Sequence, residues 1–112
     1  MGCGSGILTP ADKVLLMRKR EAVREIQRDV LDYTNENLID GAVTGRHYVG
    51  RALNTSPIGK QGAMLDLADH VSSTFKIPFE DVTQYEGKID RMTFTQTARL
   101  IYNNIQQRRQ AA

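Results

Sequence analysis

The chain has 112 residues, 40% of them hydrophobic and 25% charged, and a net charge of +2. That length supports one domain with one modest core, in which roughly 65% of the unfolded surface is buried. No apolar run approaches the roughly 18 residues of a membrane span, the start lacks the charged and apolar regions of a secretory signal, and so weak a positive excess argues against nucleic acid as partner.

Residues 1–8, MGCGSGIL, carry three glycines and are expected to form a flexible tail. Gly2-Cys3 invites a lipidation reading, but the myristoylation pattern wants Ser or Thr where Gly6 stands. Cys3 is the single cysteine, so no internal disulfide can form, which fits a reducing, cytoplasmic setting.

Thr9-Pro10-Ala11-Asp12 reads as a helix start: threonine caps, proline takes the first position and an acid sits in the first turn. The absence of Gly or Pro predicts one helix from Pro10 to about Tyr33. Leu16, Val23, Ile26 and Val30 make its apolar stripe, widened by Leu15, Ala22 and Tyr33. The opposite face mixes Arg18, Lys19, Arg20, Arg24 and Arg28 with Glu21, Glu25 and Asp29. A basic helix could bind phosphate, yet Glu25 and Arg28 are spaced to pair, and mixed signs read as a solvated face.

Asn35 to Gly62 is punctuated by five glycines and Pro57, with Leu38-Ile39 and Tyr48-Val49 as apolar anchors. A helical turn or two is expected near residues 44–53. From Gly62, Met64, Leu67, Ala68, Val71 and Phe75 share one helical face. Pro78 ends that helix. A single-turn helix over Phe79 to Gln84 and a turn around Glu86-Gly87-Lys88 follow. Thr93 and Gln96 form a capping box that opens a closing helix, with Phe94, Ala98, Ile101 and Ile105 as its stripe. The residues after Ile105 are polar and are expected to fray, leaving a tail at 108–112. The fold class is all-α: one domain over residues 9–107 with three main helices and one short one.

This order of elements resembles the second half of an acyl or peptidyl carrier protein. Phe75, Ile77-Pro78, Glu80-Asp81-Val82, Thr93, Ala98 and Ile101 fit that family's wording, over roughly 45 residues. The resemblance implies a helical bundle whose second helix is read by partner proteins. Two departures accompany it. Gln61 stands where the family has its phosphopantetheine-bearing serine, and the family is usually acidic. The resemblance therefore implies a phosphopantetheine-independent relative, with no cofactor. Ser56, the one serine of the glycine-rich loop, is the weak substitute candidate.

No catalytic set stands out. Asp66 and His70 are spaced four apart, which is too little to specify a metal site. His47 has no partner motif, and neither a phosphate loop nor an EF-hand is complete. On the helix after Gly62, the residues off the apolar stripe are Leu65, Asp66, Asp69, His70 and Ser73. Leu65, rimmed by Asp66 and Asp69 with His70 beside them, is the expected partner-binding surface. The expected function is a non-catalytic docking module for a protein partner. The alternatives are an assembly subunit of a larger particle and a small nucleic-acid-associated helical protein.

Overall fold

The structure is a computed structural model that describes residues 9–111. The expected N-terminal tail, with Gly2 and Cys3, lies outside the described residues, as does Ala112. The described chain is all-α, with no strand and three helices longer than two turns. Those three are α2 (Lys19–Tyr33), α4 (Lys60–Phe75) and α7 (Phe94–Ala111). Four shorter helices complete the order: α1 (Pro10–Leu15), α3 (Val49–Leu53), α5 (Phe79–Thr83) and α6 (Glu86–Asp90).

The start of α1 follows its residues: the Thr9 hydroxyl accepts from the Asp12 amide at 3.2 Å, and Pro10 opens the helix. The expected single helix to Tyr33 is broken. Leu16 and Met17 amides donate to Lys13 and Val14 carbonyls, a tightened last turn, and Arg18 is then extended (φ −65°, ψ 150°). The bend turns α1 back so that it contacts α2, α4 and α7 and buries Ala11 and Val14. A continuous helix would carry those two side chains away from α4 and α7. Leu16, expected in the core, lies on the outside of the bend and is 72% exposed.

Helix α2 ends in a π-helical turn, Thr34–Leu38. The buried Thr34 hydroxyl donates to the Val30 carbonyl at 2.8 Å, a side-chain bond that competes with the regular ladder. Asn35 then clasps the loop, donating to the Val43 carbonyl at 3.2 Å and accepting from the Val43 amide at 2.9 Å. The loop runs on to the start of α7, where Tyr48 and Thr93 form an isolated antiparallel bridge. There the Val49 amide donates to Met92, Phe94 to His47 and Thr95 to Gly45, at 2.8, 3.1 and 3.1 Å.

The capping box forms as expected: the Thr93 amide donates to Gln96 Oε1 at 2.9 Å and the Gln96 amide to Thr93 Oγ1 at 3.2 Å. The expected turn at Glu86–Lys88 is instead the single-turn helix α6. The Ile89 amide closes it on the Tyr85 carbonyl at 2.8 Å, and this spacing delivers Ile89 into the core. At the far end, α7 continues past Ile105 to Ala111. Arg108 on that extension is ion-paired with Asp81 of α5 and donates to Asn104 at 3.1 Å. Val23, Ile26, Val30, Leu67, Val71, Phe75, Phe94, Ile101 and Ile105 share one buried cluster.

Candidate functional site: the outer face of α4 and its seam with α2

Helix α4 starts at Gly59, whose φ of 87° and ψ of 156° suit glycine alone. It ends at Lys76, which takes a left-handed conformation (φ 57°). The Ser72 hydroxyl ties that end by donating to the Ile77 carbonyl at 2.6 Å. Between these ends Met64, Leu67, Ala68, Val71 and Phe75 are buried, as their spacing requires. The opposite face carries Gln61, Leu65, Asp66 and Asp69, all exposed. Leu65 is 44% exposed, an aliphatic side chain with the Asp66 and Asp69 carboxylates along one side of it.

His70 sits at the margin rather than on the outer face, its side chain 20% exposed. Nε2 lies 2.8 Å from Asp29 Oδ2 on α2. A carboxylate can only accept, so this nitrogen carries the proton. The imidazole also stacks on the Tyr33 ring, with centroids 4.0 Å apart and planes 10° from parallel. The Tyr33 phenol is held above its ordinary pKa, first by burial and then by the Asp66 and Asp69 carboxylates. Three residues of α4 thus bear on one residue of α2.

A carboxylate–imidazole pair can orient a general base toward a hydroxyl, a water or a bound substrate. The hydroxyl at hand is Thr74 Oγ1, 3.4 Å from His70 Nδ1 and 3.5 Å from Nε2. A hydroxyl equidistant from both ring nitrogens is aligned with neither. The arrangement ties α4 to α2. The Asp66–His70 spacing gathers no third ligand, and the described residues contain no group of three metal-ligating side chains.

The remaining candidates are placed as follows. Ser56 is buried, and its hydroxyl accepts from the Ile58 amide at 3.4 Å. His47 is exposed and its Nδ1 accepts from the Thr44 amide at 2.9 Å, holding a loop turn. Two apolar cavities touch α4 and α7, each of about 20 Å³, room for about one water. Asp29 was not legible as the partner of His70, because it is 41 residues away and nothing in the spacing joins them. Among the described residues no helix is long and apolar enough to cross a membrane. Comparison with known protein families, curated proteins and solved structures finds no match to this chain.

Proposed function

We propose that the chain is a non-catalytic, carrier-protein-like docking module that presents α4 to a protein partner in a cytoplasmic setting. The observation that carries this reading is Leu65, 44% exposed beside the exposed Asp66 and Asp69 on a helix whose other face is locked in the core. A small apolar centre with a charged rim is the usual anatomy of a protein interface. The partner surface that fits is an apolar pocket edged by Lys or Arg. Two facts support independence from phosphopantetheine: Gln61, exposed in the first turn of α4, has no hydroxyl, and the Ser56 hydroxyl is buried.

The test is a cross-linking group placed at the exposed position 61, one turn from Leu65, in chains that carry either Leu65 or Leu65→Glu, compared for capture of a partner from the native extract. Leu65→Glu is expected to melt within about 3 °C of wild type, since surface changes are usually within about 0.5 kcal/mol. It is expected to lose the partner. A variant that unfolds would place Leu65 in the core. A folded variant that keeps every association would remove α4 as the docking surface. A phosphopantetheinyl transferase with coenzyme A is expected to add no mass to the chain.

A further inference from the structure

Helix α2 looks mixed in charge along the sequence, but its charges are sorted around its axis. Glu21, Glu25 and Asp29 are spaced four apart and form one edge, on which Asp29 meets α4. Lys19, Arg20 and Arg24 lie on the other edge and line a groove between α2 and α7. Arg99 of α7 joins them from across the groove. No carboxylate lines it, and among the described residues none of these four cations is in an ion pair. The groove is open to solvent and has a volume of about 510 Å³, within the roughly 300–1,000 Å³ of small-ligand clefts.

Two neutral polar side chains complete its lining. The Thr95 hydroxyl donates to Gln27 Oε1 at 2.9 Å, bridging α7 to α2, and also approaches the Gly45 carbonyl at 3.1 Å. That bridge uses the Gln27 oxygen and leaves its amide nitrogen without a protein acceptor among the described residues. Four exposed cations lining one groove raise the positive potential there and concentrate anions in it. Three arginines favour a ligand with paired oxyanions, because the guanidinium fork matches phosphate geometry.

We propose that the groove between α2 and α7 binds phosphate groups, through Lys19, Arg20, Arg24 and Arg99 with the Gln27 amide in its lining. The phosphate comes from a nucleic-acid backbone or from a free phosphorylated small molecule. This surface is separate from the outer face of α4 and does not depend on it.

The experiment titrates the full chain against three probes: a labelled single-stranded oligonucleotide of about 20 nucleotides, ATP, and polyglutamate of similar length, at salt from about 50 to 200 mM. Oligonucleotide binding is expected to weaken with salt at a log–log slope of about −3, or about −0.7 for each of four contacts. Arg24→Ala with Arg99→Ala is expected to bring the slope to about −1.4. Lys19→Ala with Arg20→Ala should do the same and gives an independent second pair. Arg28→Ala, altering an arginine already paired with Glu25, is expected to change little. Binding of ATP alone, lost in the same variants, would assign the phosphate to a free small molecule. The proposal is overturned if neither phosphate probe binds at the lowest salt, or if binding ignores both double variants. It is equally overturned if polyglutamate binds as tightly as the oligonucleotide, since the groove would then select charge and not phosphate.

Discussion

The two long edges of α2 are closed in different ways. Toward α4 the edge is paired: Asp29 meets His70, and Tyr33 stacks on the same imidazole. Toward α7 lies the most extensive helix–helix contact of the fold, bridged by Gln27 and Thr95, with its cations left over. Two of the four acids of α2 are engaged, Asp29 by His70 and Glu25 by Arg28, whereas Lys19, Arg20 and Arg24 are in no ion pair among the described residues. Formal net charge hides this. A chain at +2 can carry a concentrated positive groove provided its acids are spent or turned elsewhere.

The comparison breaks first at the core both edges share. Phe75 on α4 and Phe94 on α7 are buried in one cluster. Phe75→Ala and Phe94→Ala are each expected to cost about 3–5 kcal/mol, read by urea denaturation. A cost of less than about 1 kcal/mol for either would mean that polar ties, not apolar burial, hold that edge. A smaller and one-sided effect is expected at Gly45. A methyl group there would collide with the Gln27 amide and stand 2.5 Å from Thr95 Oγ1. Gly45→Ala is expected to cost about 1–3 kcal/mol by overpacking. It should leave the His70 ring resonances in place. If they move, the two edges are coupled and the contrast between them fails.

The smallest effect concerns pH. The phenol of Tyr33 holds its proton above the ordinary 10.0 in the folded chain. The folded state then binds that proton more tightly than the unfolded state. Its contribution is complete below the unfolded pKa and is lost as pH rises through the folded one. Melting temperatures taken from roughly pH 9 to 11 should fall less steeply for Tyr33→Phe than for wild type. Equal slopes would mean that neither burial nor the carboxylates of Asp66 and Asp69 raise the phenol on folding.

Much of this architecture could be read from local rules. The Thr93–Gln96 capping box, the Thr9–Pro10 start and the apolar face of α4 each depend on residues within a few positions of one another, and each formed. What could not be read depended on the rest of the molecule. The break at Leu16–Arg18 has no Gly or Pro to announce it; it follows from the need to seat Ala11 and Val14 against α4 and α7. The helix at Glu86–Asp90 formed across Gly87 because Ile89 had a core to enter. His70 was legible as a neighbour of Asp66, yet its partner came from α2. The sorting of charge around α2 was legible in principle, since Glu21, Glu25 and Asp29 repeat every fourth residue. What was missing was Arg99, which only the packing of α7 brings across.

The loop after α2 is held at two places: near its start by the Asn35 clasp on Val43, and farther on by a segment that lies far along the chain. Its backbone bonds from Gly45, His47 and Val49 reach Thr95, Phe94 and Met92, with Thr95 lying 50 residues beyond Gly45. Contacts of such long separation close late, because the entropy of the intervening loop is lost before they form. On a ribosome, where the chain emerges from its N-terminus, residues 45–49 have no docking site until the first turn of α7 has been made. Helices α2 and α4 would by then have been exposed long enough to meet each other first.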